Sequence, residues 1–94
     1  MDLATKARDL VAIHFEANER YSRSGFEDRD AVETMHGASR AIALLSQISA
    51  ACNRGEKLRD QVRYFAAYDK SSRDLGSKWL RKYLNDLLME VESE

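Results

Sequence analysis

Few residues in this chain combine the type and the spacing that chemistry needs. Glu33-Thr-Met-His36 is the first candidate. Side chains at i and i+3 of a helix reach one point, and helical bundles use such Glu/His pairs, with carboxylates from other helices, to hold metals. That architecture needs a second pair, and the sequence contains only this one. A solvated helix face is expected instead, with no metal and no other cofactor. His14 places an imidazole near the centre of an apolar stripe. It could act as a pH-sensitive switch or a ligand, but a buried neutral histidine with one hydrogen-bonded nitrogen is the preferred expectation. Cys52 has only Arg54 nearby to activate its thiol and reads as a small core residue. A glycine-rich phosphate loop, a Ser–His–Asp order and a Cys/His metal spacing are all missing. The chain is expected not to be an enzyme.

Arg29-Asp30 followed by His36 resembles the R-x(4–6)-H signature of HEPN ribonucleases, in which a polar residue follows the arginine. The resemblance implies two such pairs meeting across a dimer to cut RNA. It covers eight residues. The motif falls in the second helix here, whereas the family carries it near the end of the chain. A metal or HEPN-like site around Arg29, Glu33 and His36 is therefore the third functional alternative.

Charge is spread unevenly. Residues 54–82 hold nine Lys or Arg against four acids, whereas residues 83–94 hold Asp86, Glu90, Glu92 and Glu94 with no base. Within the basic block, Arg59, Arg63, Lys70 and Arg81 are spaced by 4, 7 and 11, near whole helical turns. Tyr64, Tyr68, Leu75 and Trp79 make a second, mostly aromatic stripe. Core or dimer packing accounts for aromatic residues in such a stripe, but Tyr and Trp beside Arg are also the composition of binding anchors. These eight residues are the expected partner-binding surface, with Tyr68 or Trp79 as anchor and Arg59 and Arg63 steering an acidic target. The runner-up is a nucleic-acid or nucleotide binder using the basic stripe with aromatic stacking. A pI near 6.1 argues against a dedicated nucleic-acid binder.

The elements that position these residues follow from apolar periodicity. A first helix is expected over about 2–22, with Asp2 as N-cap and Leu3, Ala7, Leu10, Val11, His14, Ala17 and Tyr21 on one face. The second opens at Ser24-Gly-Phe-Glu27, which fits a capping box, or alternatively at Asp28. It runs to about Asn53, where Gly55 is a natural stop. Val32, Met35, Ser39, Ile42, Ser46 and Ser49 recur along it at spacings of 3 and 4 and are the expected dimer interface. From Ala41 to Cys52 the back of this helix is apolar too, which places it at the centre of the assembly. The third segment covers about 56–91. Leu58, Val62, Phe65, Leu80, Tyr83, Leu87 and Val91 keep one phase throughout, so one long helix is expected. Ser71-Ser-Arg-Asp74 offers a rival break near 70–72.

Length and composition frame the rest. The chain has 94 residues, net charge −1, no proline and four glycines. That is one domain at most, and it lacks the turn clusters of an all-β fold. No apolar run is long enough to span a bilayer. The N-terminal residues do not resemble a secretory signal. One cysteine cannot form an internal bridge, and the reducing cytoplasm is the expected compartment. The expectation is an all-α single domain of three long helices, or four if the last breaks, forming an elongated bundle completed by homodimerisation. An unbroken third segment would be about 54 Å long, more than a globule of this size can cover. The expected function is regulation or inhibition without catalysis, by binding another protein. Adaptors, antitoxins, immunity proteins and phage-type inhibitors form that class.

Overall fold

The computed structural model describes residues 1–68 and 73–94, with Tyr68 described by its helical backbone. Four helices account for nearly all of them: α1 (Leu3–Arg23), α2 (Arg29–Asn53), α3 (Leu58–Tyr68) and α4 (Ser77–Ser93). No strand occurs among the described residues.

Local chemistry sets the first two helices. The Asp2 carboxylate caps α1 by accepting from Ala4 N at 3.0 Å, as its sequence position suggests. At the next junction the alternative start is the correct one. Asp28 caps α2, with Oδ1 accepting from Ala31 N at 3.0 Å. The Ser24 hydroxyl accepts from Glu27 N and Asp28 N and donates to Tyr21 O. It therefore shapes the turn between the helices and does not cap the second one. Phe26 sits in this turn at φ 67°, held by its own N–H on Tyr21 O and by its ring edge on Tyr21. Gly55 ends α2 at φ 96°, as its position suggests.

The third segment is not one helix. α3 and α4 are separate, so the continuous helix is replaced by the rival, four-helix arrangement. Its expected cap, the run from Ser71 to Asp74, does not supply the start of α4. Ser71 and Ser72 lie outside the described residues, and α4 begins at Ser77 after Gly76 in the left-handed region. The preserved apolar phase has a physical reason even so. Two helices that each turn one face to the same core can share a phase by sequence spacing alone.

The break lets α4 lie back against α3 and α2. Arg63 meets Glu92, and an Arg59 N–H donates to Val91 O, so the start of α3 lies at the end of α4. Lys6 of α1 meets Glu90 of α4 at 2.6 Å. Glu33 of α2 meets the start of α4. Successive helices thus alternate in direction, the order of an up-and-down bundle. Leu10, Ile48, Val62, Leu80 and Leu84 are all but fully buried between them. Each such side chain contributes about 1.5–3 kcal/mol relative to exposure. The folded chain measures 46 × 27 × 22 Å.

α2 is central, in contact with all three other helices. Leu44 is half-buried and Ile48 and Ala51 are buried, as the apolar back of the helix suggests. It is not covered all round, however. Ser39, Ala43, Ser46, Gln47 and Ala50 remain exposed.

Candidate functional site

The most constrained polar arrangement lies where α2 and α4 begin side by side. Gly76 ends the approach to α4 at φ 87° and brings no side chain to cap the helix. The first N–H groups of α4 need acceptors, and Glu33 of α2 supplies both oxygens. Oε2 accepts from Gly76 N at 2.8 Å. Oε1 accepts from Lys78 N at 3.0 Å and Trp79 N at 3.2 Å. One turn further along α2, the helices come into backbone contact at Gly37. A β-carbon there would lie 2.7 Å from Trp79 Cβ and Cε3. Arg40 completes the seam by donating from Nη1 to the buried Ser77 hydroxyl at 2.7 Å.

Electrostatics follow from this geometry. Burial pushes the Glu33 carboxyl up, but three backbone donors and the nearby Lys78 ammonium outweigh it, and the group titrates below its ordinary value. Asp2 is also held low, chiefly by the Thr5 hydroxyl and then by Ala4 N–H. The third shifted group is Tyr83, pushed up to about 12 by burial and by Glu90 and Asp9. It lies stacked on Trp79 with ring planes 10° apart. Two of these groups cap helices and the third is packed against the core, so they serve the scaffold.

The Glu33/His36 pair is divided by this arrangement. Glu33 is not on a solvated face, because its two oxygens cap α4. His36 is exposed and lines a groove of about 180 Å³ with His14, Met35 and Ser39. Arg29 lines a different cavity, with Tyr21, Phe26, Val32 and Leu75. The three residues of the third alternative are thus not brought to one point. Among the described residues no group of three or more His, Cys, Asp or Glu is placed to hold a metal ion. We expect His36→Ala to change the stability of the single chain by no more than about 0.5 kcal/mol, the usual range for an exposed position. Thermal unfolding of the variant, with elemental analysis of the wild type, checks both points.

The two stripes of the third segment do not survive its division. Arg59, Arg63 and Tyr64 lie on α3, Trp79 and Arg81 on α4, and the spacings between them no longer measure one helix. Lys70 and the side chain of Tyr68 lie outside the described residues. Arg63 pairs with Glu92 and Arg59 donates to Val91 O at the C-terminal end of α4, whereas Glu90 and Glu94 are met by Lys6 and the Met1 ammonium. Trp79 is half-buried, wedged between Tyr83 and Gly37. Tyr64 and Leu75 are exposed, and Arg81 is half-buried. Tyr64 borders a groove of about 450 Å³ whose walls include Arg40, Leu44, Phe65 and Leu80. Of the expected interface on α2, Ser39 and Ser46 are exposed and Val32, Met35, Ile42 and Ser49 half-buried.

Sequence reasoning missed Gly37, Gly76 and Ser77. A signal for the first was present: a lone glycine inside a strong helical pattern commonly marks a close backbone approach. His14 is half-buried rather than enclosed, with its ring edge-on to Phe15. Cys52 is a free thiol packed against the core, as expected.

Fold and site together define a small up-and-down helical bundle whose strongest polar arrangement is structural. Comparison of the chain with family models, with curated proteins and with solved structures finds no match in any of the three. No helix among the described residues is long and apolar enough to cross a membrane.

Proposed function

We propose that this chain is a non-catalytic regulatory or inhibitory protein that acts as a homodimer by binding another protein. Tyr64 carries this reading. Its side chain is 60% exposed on a well-packed scaffold, and it is set edge-on to Phe65 with ring centres 5.1 Å apart. It stands over the groove formed with Leu44, Phe65 and Leu80. An aromatic side chain held in place at the rim of a partly apolar groove loses little conformational freedom on binding, which is what a binding anchor needs. A partner would insert an aliphatic residue beside it. The free thiol of Cys52 suits a reducing compartment and supports a cytoplasmic location.

Affinity capture from the native host, comparing wild type with Tyr64→Ala, tests the proposal. Truncating an anchor typically costs at least about 2 kcal/mol, or roughly 30-fold in affinity. The expected result is one protein retained by wild type and lost from the variant, with the variant's melting curve unchanged. Capture of nucleic acid instead, with affinity falling steeply as salt rises, would replace this reading with the runner-up.

A further inference from the structure

The side of the α1–α2 pair that faces away from α3 and α4 is nearly free of charge. A third of the chain is Asp, Glu, Lys or Arg, yet from Thr34 to Asn53 the only such residue is Arg40, which is turned to Ser77. The groove holding His14, Met35, His36 and Ser39 fixes which sides of the two helices share this face. On α1 it continues through Ala7 and Val11 to Phe15, which is 64% exposed. On α2 it continues through Ile42 and Ser46. Arg8 and Glu19 stand further round α1, at the rim by helical phase. Both histidines of the chain lie on this face.

We infer that a second copy of the chain docks on this face about a two-fold axis, with His14 and His36 in the interface. The inference deepens the homodimer part of the proposed function and is independent of the Tyr64 groove. A two-fold contact sets residues near the axis against their own copies, so any charge there meets its like. A surface emptied of charge in a heavily charged chain is self-complementary in that sense. Met35 to Ala50 spans about 23 Å, and two helices are about 20 Å wide, so two copies cover about 900 Å², at the low end of the range for specific interfaces. Phe15 and Val11 supply the large apolar groups such a contact needs, and the exposed Ser39, Ala43 and Ser46 let the helices approach.

The histidines make this contact sensitive to acid. Imidazole is the side chain that ordinarily gains a charge between about pH 5 and 8. Protonation would place two cations per copy in an interface whose nearby acids are engaged elsewhere, Glu19 at the rim with Arg23 and Glu33 with the start of α4. The groove carries no titratable side chain besides the two histidines. One turn from His14, α1 presents Leu10, Val11, Ala17 and Asn18. One turn from His36, α2 presents Val32, Ser39, Glu33 and Arg40, and the last two are engaged with α4.

Sedimentation equilibrium of the full chain tests this at pH 8 and pH 5.5. At pH 8 and micromolar concentration the expected mass is twice the 10.8 kDa of the chain. Phe15→Glu and Ser46→Glu, both at exposed positions on different helices, should each weaken association about 100-fold or more while circular dichroism stays helical. Wild type should associate at least about tenfold more weakly at pH 5.5. The double variant His14→Gln/His36→Gln should dimerise equally at both values. A monomer at pH 8, or a dimer indifferent to both glutamate variants, overturns the interface. A dimer whose affinity does not change with pH overturns the role of the histidines. Loss of Tyr64-dependent capture with dimerisation intact would count against the partner groove alone.

Discussion

Replacing Gly76 with alanine should destabilise this protein more than the same change at Gly25, Gly37 or Gly55. Two costs act together at that position. The residue holds φ 87°, a left-handed conformation that costs an L-residue about 1–2 kcal/mol. The added β-carbon would also lie 2.5 Å from Gly37 N and 2.7 Å from His36 C. Those are backbone atoms in the middle of a helix, so they cannot swing aside as a side chain could. Overpacking of this kind typically costs about 1–3 kcal/mol, which brings the expected loss to about 2–5 kcal/mol. Gly55 is the control. It also has positive φ, but a β-carbon there meets nothing within 4 Å, so Gly55→Ala should show the conformational cost alone. Gly37→Ala is a third arm. Alanine gains about 1 kcal/mol of helix propensity over glycine, and against that stands the 2.7 Å approach to Trp79. The clash should win. Thermal unfolding measures all three, at about 4–8 °C per kcal/mol for a chain of this size. If Gly76→Ala melts no lower than Gly55→Ala, the close approach of α2 and α4 is wrong.

That contact explains why part of the fold was legible in the sequence and part was not. Asp2, the end of α2 near Asn53 and the stop at Gly55 could be read because each rests on atoms a few residues apart. The apolar phases of α1 and α2 could be read because burial is periodic along a single helix. The apparent continuity of residues 56–91 has the same origin. Periodicity reports which side of a segment is buried and is silent about whether the segment turns back. The decision was made by a carboxylate 43 residues from the N–H group it caps, and sequence spacing carries no record of such a pair. Ser24 shows the local version of the problem. Its capping-box spacing is real, and its hydroxyl does accept from Glu27 and Asp28, yet Asp28 stood closer to the helix and took the cap. The site was less legible than the fold. Both the aromatic and the basic stripe cross the break, so only the parts within α3, Arg59 with Arg63 and Tyr64 on the aromatic side, keep their helical spacing. Glu33 and His36 have the spacing of a pair. Their separate uses, a cap for α4 and a groove with His14, depend on which helices lie on either side of α2.

The second large effect is expected at Glu33, and it should depend on pH. Its carboxylate accepts from three N–H groups, with Gly76 on one oxygen and Lys78 and Trp79 on the other. Glu33→Ala removes every acceptor at once and leaves the start of α4 uncapped. Hydrogen bonds to a charged group are worth about 1.5–3 kcal/mol, and loss of a cap about 0.5–2 kcal/mol. Water can reach part of this end of the helix, so a net loss of about 2 kcal/mol is expected. Glu33→Gln is the more discriminating variant. An amide offers one acceptor oxygen, so it can serve Gly76 or the Lys78/Trp79 pair but not both, and it brings an N–H₂ group against the unserved donors. Its loss should be about 1 kcal/mol near neutral pH. The sign of the pH effect follows from the lowered titration of Glu33. A carboxylate that titrates lower in the folded chain than in the unfolded one stabilises the fold above its unfolded value. That contribution disappears as pH falls through the folded value. Wild type and Glu33→Gln should therefore differ fully above the ordinary value of 4.5 and converge as pH drops below it. Asp2 titrates low in both proteins, so the difference between their stability profiles isolates Glu33. Urea unfolding at a series of pH values from neutral to acid gives that difference directly. Parallel profiles, with no convergence in acid, would mean that the charge of Glu33 does not hold the N-terminus of α4.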